Sequence, residues 1–406
     1  MPRGDDLTPR RAKPLHLAGQ ALIAVASVVT LALSVVGYAA AGSITDPPPV
    51  ESGAVGPTSR PTVTDGLTTR PPLVKPQAMN VLVLGTDTRD GLSAHDIAKY
   101  HLGDIGGGLS DTIMLIHLSG DGEHATVMSF PRDLWVEIPA FMGKSAVHMK
   151  INAAYARGGA AGPNLAMSTI ENLTNIHINH YMSINIPSLG RLVDELGGVD
   201  VCLPKAVNDT VFLGKSGGSG LVLPAGPSHL DGVQAVAYVR TRHQDTGDGP
   251  DDFGRIRRQQ KFVSSLLAKV MSAGTLTDLG KLQRVVKTVA SALTLDNSLD
   301  GRALFTIASG LQGLNTSRVT FVTVPVAKNI VIDGQDAMQM DEQAAKKLFA
   351  DVINDRPVTP IRASTPAATP GGSASPTATA TPTGTASVDP NKAHTAADNP
   401  CASSNG

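Results

Sequence analysis

Apolar positions fall along this chain in three regimes. From Leu17 to Ala41 they predominate, and no Asp, Glu, Lys or Arg occurs between Pro14 and Thr45. A stretch of about 25 residues is roughly 37 Å long as a helix, against a hydrocarbon core of about 30 Å. From Asn80 to Val352 short apolar runs alternate with turn residues. From Asp46 to Gln77, and again after Thr359, Pro, Thr, Ser, Ala and Gly dominate and the period is lost.

The middle regime predicts the fold. Asn80–Leu84 has the composition of a buried strand and ends at Gly85-Thr86-Asp87. Thr112–Leu118 and Ala125–Phe130 read as a strand pair around Asp121-Gly122. Ile151–Tyr155, Leu165–Leu173 and Leu189–Leu196 have helical spacing, and Tyr181–Ile186 and Val199–Leu203 read as strands. Asp231 caps a helix through Tyr238, a Gly/Asp/Pro-rich loop spans Gln244–Asp252, and the helical period resumes at Phe253. Leu282–Leu293 and Leu304–Leu311 predict further helices, Val319–Val326 and Asn329–Asp333 strands, and Glu342–Val352 a closing helix. Crossovers mixed with hairpins predict an α/β fold, with a mixed central sheet covered by helices on both faces.

The expected organisation is a basic cytoplasmic tail (1–16), one transmembrane helix (17–41) and a Pro-rich linker (42–78). A folded domain (79–355) and a disordered Thr/Pro/Ala/Ser-rich tail (356–406) follow. Arg3, Arg10, Arg11 and Lys13 outweigh Asp5 and Asp6 before the apolar stretch. The positive-inside rule then makes this a single-pass protein of the cell membrane, with the folded domain outside. The alternative is a signal peptide cleaved near Ala39-Ala40-Ala41. A net charge of −1 and 3% aromatic residues argue against nucleic acid as a partner. An exported protein could pair its two cysteines, Cys202 and Cys401, or bury Cys202 as a free thiol. His177 and His180 lie three apart without an evident partner and read as structural; the histidines show no metal-ligand spacing.

The candidate chemistry lies in Arg240, Arg242, Arg255, Arg257 and Arg258, with Asp251 and Asp252 between them. If the chain is extended after the capped helix, Arg240 and Arg242 point the same way. On the next helix Arg255, Arg258 and Gln259 share a face. The planar guanidinium fork suits phosphate oxygens, although such charge runs also form solvated helix faces. Asp87, Asp111 and Arg132 fall at predicted strand ends. Magnesium usually takes one or two carboxylates, water and phosphate oxygens; the plainer role for both aspartates is to cap turns.

Several motifs then occur in order: VLGTDTRD (Val83–Asp90), SDTIMLIHL (Ser110–Leu118), SFPRDLWVEIP (Ser129–Pro139), KINAAYARGG (Lys150–Gly159), LVDELGGVDV (Leu192–Val201), LDGVQAVAYVRTR and DDFGRIRRQQ. Together they resemble the LytR–CpsA–Psr family of cell-wall glycopolymer transferases, over about Met79–Asp355. The resemblance implies transfer of a glycan-1-phosphate from a polyprenyl pyrophosphate carrier to a peptidoglycan hydroxyl, beside the membrane. It implies Asp87 and Asp111 as ligands of Mg2+ (or Mn2+). Arg89, Arg132, Arg240, Arg242, Arg255, Arg258 and Gln259 would then serve the pyrophosphate, with Arg132, Arg242 and Arg255 catalytic. Asp252, three residues before Arg255, is expected to orient or deprotonate the acceptor hydroxyl. The alternatives are hydrolysis of the same carrier, and an envelope protein that binds lipid or glycan without catalysis.

Overall fold

The computed structural model describes residues 70–88, 92–102, 108–212, 215–216, 218–242, 251–272, 293–296, 316–358 and 393–395. The expected spanning segment 17–41, the linker up to residue 69, Arg89, the loop 244–250 and the helix Leu304–Leu311 lie outside them. So does Leu282–Leu293 up to its last residue. Among the described residues no helix is long and apolar enough to cross a membrane.

In chain order, β1 (Met79–Thr86) leads to α1 (Ala94–Lys99), β2 (Ser110–Leu118) and β3 (Ala125–Ser129). The hairpin β4 (Trp135–Ile138) and β5 (Val147–Lys150), α2 (Ala153–Gly158), α3 (Gly162–Thr174) and β6 (His180–Asn185) follow. Next come α4 (Ile186–Glu195), β7 (Val199–Leu203), β8 (Val207–Asn208), β9 (Val211–Phe212), β10 (Lys215–Ser216), β11 (Val222–Leu223) and β12 (Gly226–Leu230). After α5 (Gly232–Arg240) and α6 (Asp251–Ser272) stand β13 (Leu293–Leu295) and β14 (Val319–Thr323). The hairpin β15 (Val326–Ile332) and β16 (Gln335–Met340), α7 (Glu342–Ile353) and β17 (His394–Thr395) complete the order.

Seven strands form the central sheet in the order β13-β6-β1-β2-β3-β14-β17. It is mixed, because β1 is parallel to β6 and antiparallel to β2, while β3 is antiparallel to β2 and parallel to β14. The central strands are apolar on both sides. Met114, Ile116 and Leu118 pack with Leu192 of α4, Tyr238 of α5 and Phe262 of α6. Ile113 and Leu115, pointing the other way, pack with Leu165 of α3 and Phe349 of α7. Burial on both faces is why these strands read as nearly continuous apolar runs.

One register shift matters for function. Gly85 pairs with Thr112 but Thr86 pairs with Ser110, so Asp111 is the extra residue of a β-bulge. Such bulges re-aim a side chain; here Asp111 and Thr112 both face the same cavity. Gly85 allows the close pairing, since a Cβ at this position would stand 2.8 Å from Thr112 Cβ.

The structure corrects several boundaries. Val319–Val326 is not one strand: Pro325 cannot continue the ladder, and β14 ends before it while β15 begins after it. The strand expected at Asn329–Asp333 is the second half of β15, which ends at Ile332, and its partner β16 was not revealed by the apolar pattern. The short helix expected at Ile151–Tyr155 begins at Ala153, and Leu293 is in a strand. The linker does not extend to residue 78: Arg70 donates from Nε to Glu171 Oε2 at 3.0 Å and from Nη2 to the Ile178 carbonyl at 2.7 Å. Glu171 is buried, and a buried carboxylate requires such a partner. The tail is also ordered at 393–395, where β17 adds to β14 and the His394 ring stacks on Phe321 with centroids 5.5 Å apart. Cys202, in β7, is disulfide-bonded rather than a free thiol. The chain's other cysteine, Cys401, lies outside the described residues.

Candidate functional site

β1 ends where β2 begins and β3 ends, so this edge of the sheet gathers Asp87, Asp111 and Arg132. The capping box of Asp231 and Gln234 starts α5, which delivers Arg240 at its last position. Thr241 then leaves the helix in an extended conformation (φ −52°, ψ 127°), turning Arg242 toward the same edge. α6 begins at Asp251, two residues before the apolar period, and adds Arg255 and Gln259.

Between this edge, one face of the sheet and helices α4, α5 and α6 lies a cavity of about 440 Å³. Its polar end is lined by Asp87, Asp111, Arg132, Arg240, Arg242 and Arg255. Its apolar end is lined by Val83, Met114, Ile184, Leu189, Val239, Phe262 and Val263. The cavity wall therefore combines a charged set and an apolar set of side chains.

The charges at the polar end form a chain. Asp111 Oδ1 accepts from Arg132 Nη1 at 2.8 Å, and its Oδ2 accepts from Arg242 Nη2 at 2.7 Å. Arg132 Nε lies 3.2 Å from Asp252 Oδ1 and 3.5 Å from Asp133 Oδ2. Asp252 Oδ1 also pairs with Arg255 Nη2, one turn along α6. Lys150 Nζ stands 3.0 Å from Asp133 Oδ1. Burial works against a charged Asp111, but Arg242, Arg255 and Arg132 outweigh it and hold its pKa below the usual carboxylate value.

Arg255 is buried with the like charges of Arg242 and Arg132 nearby. Its side chain is only 2% accessible, and burial pulls its pKa down to about 10 despite the pull of Asp252. Among the described residues its Nε and Nη1 are buried without a hydrogen-bond partner. Buried donors of this kind carry a free-energy cost that an anion would relieve.

The other expected residues are placed as follows. Asp87 lines the cavity, and its backbone N–H donates to Leu109 O at 3.3 Å. Arg240 lines it too, and donates to Tyr100 O at 2.9 Å. Gln259 lines it and donates to the Val239 carbonyl at 3.4 Å. Arg258 is not among the lining residues: it is fully buried and donates from Nη2 to the Thr241 carbonyl. It therefore anchors the turn that carries Arg240 and Arg242. Asp252 is not among the lining residues either; its Oδ1 is held between Arg132 and Arg255, while its Oδ2 is buried without a hydrogen-bond partner among the described residues. His177 and His180 are structural, with Nδ1 of one 2.9 Å from Pro71 O and of the other 3.1 Å from Asp296 Oδ2.

Asp209 was missed. It is a buried carboxylate on the cavity wall whose Oδ2 accepts from the Ser219 N–H at 3.1 Å. It lies between two-residue strands, too short to show a period, so nothing in the local pattern marks it.

Asp87 and Asp111 offer two carboxylates among the lining residues, beside four arginines. That donor set suits a cation that completes its shell with water and phosphate oxygens, as magnesium does, and falls short of an all-protein cage. Because Asp111 already accepts from Arg132 and Arg242, an ion there would share it with them.

The LytR_cpsA_psr family model matches residues 62–353. The chain is 29% identical over 378 residues to the cell wall biosynthesis protein LcpA of Corynebacterium glutamicum, covering 85% of this chain and 67% of that protein. It is 33% identical over 274 residues to the probable cell wall biosynthesis protein LcpB of the same organism, covering 67% of this chain and 60% of LcpB. It is 34% identical over 224 residues to the polyisoprenyl-teichoic acid–peptidoglycan teichoic acid transferase TagU of Enterococcus faecalis, covering 55% of this chain and 63% of TagU. The crystal structure of B. subtilis TagV shares the fold, with TM-score 0.54 at 20% identity, over 70% of this chain and 100% of TagV.

Proposed function

The chain belongs to the LytR–CpsA–Psr family, and from that premise we propose that it is a phosphotransferase. It moves a glycan-1-phosphate from a polyprenyl pyrophosphate carrier to a hydroxyl of peptidoglycan, outside the membrane to which residues 17–41 anchor it. The observation that carries this reading is the amphipathic cavity. A pyrophosphate fits the end lined by Arg132, Arg240, Arg242 and Arg255. A prenyl chain fits the end lined by Val83, Met114, Leu189 and Phe262. The similarity to TagU, a polyisoprenyl-teichoic acid–peptidoglycan teichoic acid transferase, supports the same substrate classes.

In this reading the acceptor oxygen attacks the phosphorus that bears the glycan. The bond from that phosphorus to the bridging oxygen breaks, polyprenyl phosphate leaves, and the hydroxyl proton passes to solvent. The transition state is loose, so positioning and charge neutralisation matter more than a strong base. Arg255 supplies buried donors that gain partners as charge develops on the leaving phosphate. Asp252 and Asp111 hold Arg255, Arg132 and Arg242 in register before substrate arrives. Asp87 and Asp111 would hold Mg2+, which supplies charge neutralisation on the pyrophosphate oxygens.

The test uses the full chain with a polyprenyl-pyrophosphate-linked glycan, with and without peptidoglycan. Glycan joined to peptidoglycan through phosphate is the expected product. Release of soluble glycan phosphate at the same rate in both reactions would replace transfer with hydrolysis, and no turnover in either would leave only binding.

A further inference from the structure

At the other end of the sheet, six residues along β2 from Asp111 and so about 20 Å away, three potential ligands meet. His117 is on β2, His124 precedes β3, and Asp355 follows α7, 238 residues from His117. His117 Nε2 lies 3.0 Å from Asp355 Oδ1, and His124 Nε2 lies 3.8 Å from the same oxygen. The ligand atoms are all within 4.8 Å of one another. A tetrahedral ion with bonds of about 2.1 Å sets its ligand atoms about 3.4 Å apart, and the two measured separations straddle that value.

The surrounding hydrogen bonds prepare these atoms for a cation. Asn80 Nδ2 donates to the His177 carbonyl at 2.8 Å, which leaves Asn80 Oδ1 as an acceptor. That oxygen lies 2.8 Å from His117 Nδ1, so Nδ1 carries the proton. In the neutral ring the Nε2 lone pair then faces a carboxylate oxygen, an arrangement that a bare pair of acceptors would not favour. His124 Nε2 is buried and has no hydrogen-bond partner among the described residues, while its Nδ1 sits 3.7 Å from Asp121 Oδ1. Asp355 Oδ2 accepts from the Gly120 N–H at 3.1 Å, which orients the carboxylate and leaves Oδ1 toward the imidazoles. A histidine whose second nitrogen is held by an amide oxygen or a carboxylate is the usual support for a metal ligand. Asp355 also takes the left-handed position after α7 (φ 56°), where glycine is the common choice.

We infer that His117, His124 and Asp355 form a binding site for a divalent transition metal ion of the zinc type, completed by water. Two imidazoles and one carboxylate suit zinc, and not the oxygen-seeking magnesium of the cavity. Bound there, the ion would fasten the β2–β3 hairpin to the end of α7 and so close the C-terminal boundary of the domain.

Cobalt(II) is the probe, because its visible absorption reports tetrahedral coordination. The full chain, purified in detergent and stripped with a chelator, is titrated with Co2+ in excess Mg2+, which occupies oxygen-only sites. One Co2+ per chain with strong visible bands is expected, displaced by one equivalent of Zn2+, and Zn2+ should raise the melting temperature. His124→Ala should remove the bands and the thermal shift, and Asp355→Asn gives an independent variant should the first not fold. His229→Ala should change nothing, since the exposed His229–Asp200 pair (2.6 Å) represents surface binding. No Co2+ bound by the unaltered chain, or bands of equal strength in a folded His124→Ala or Asp355→Asn variant, would overturn the site. None of these readings depends on transfer activity, so the inference stands or falls apart from the proposed reaction.

Discussion

Asp252 Oδ1 lies 3.2 Å from Arg132 Nε and also pairs with Arg255 Nη2, so one carboxylate joins the turn after β3 to the first turn of α6. The two arginines come from positions 123 residues apart in the chain (255 − 132), and this oxygen is what fixes their spacing at the cavity.

Asp252→Asn should therefore lower the transfer rate on the order of a hundredfold, the cost of misplacing groups by about an ångström. It should leave the shape of the pH–rate profile unchanged. Loss of the acidic limb of that profile in the variant would give Asp252 the role of base.

Arg255→Lys keeps a charge but loses the planar fork. A donor to a developing anion is worth about 3–4 kcal/mol, so the rate should fall by a hundredfold or more. Arg318→Lys, at an exposed pair with Glu123 (3.1 Å), should change it less than twofold. Transfer assays beside melting curves check this, and similar small effects at both positions would dismiss Arg255 from the site.

Acid should weaken the domain through Asp111. Its folded pKa is depressed, so its contribution is present above the unfolded value of about 4 and is lost as pH falls through the folded value. Asp111→Asn should therefore be less stable than the parent at pH 7 and show a shallower loss below pH 4. Parallel melting-temperature profiles from pH 3 to pH 7 would refute the linkage.

Gly85→Ala introduces a Cβ at 2.8 Å from Thr112 Cβ, on a strand pair that cannot easily separate. Overpacking of this kind costs about 1–3 kcal/mol. Urea unfolding should show that loss, with transfer impaired further because the bulge at Asp111 is part of the same pairing.

Topology has its own test. A phosphatase reporter fused after Asp355 should be active in intact cells if residues 1–16 remain in the cytoplasm. An inactive reporter, with a cytoplasmic label at the same point, would contradict an extracytoplasmic site.

Local pattern alone determined much of this protein. The central strands were legible because burial on both faces makes them continuous apolar runs, as in Leu82–Leu84 and Ile113–Leu118. The start of α5 was legible because Asp231 and Gln234 satisfy its first backbone donors locally. The arginines were legible as a group because several lie within one short stretch. What each one does was decided only by tertiary structure. Arg255 and Arg258 share a helix face, yet one meets the cavity and the other the Thr241 carbonyl, because the α5–α6 packing separates them. Asp111 faces the cavity through a register shift that depends on pairing with β1. That Asp252 Oδ1 clasps Arg132 and Arg255 together was not legible in the sequence, because Arg132 comes from a different element. His117, His124 and Asp355 carry no shared spacing, since a hairpin and a helix end bring them together across more than 200 residues. Sequence pattern records the forces that act within one element, whereas charge partners and ligand clusters arise where elements cross, and their geometry exists only once the sheet and its helices have packed.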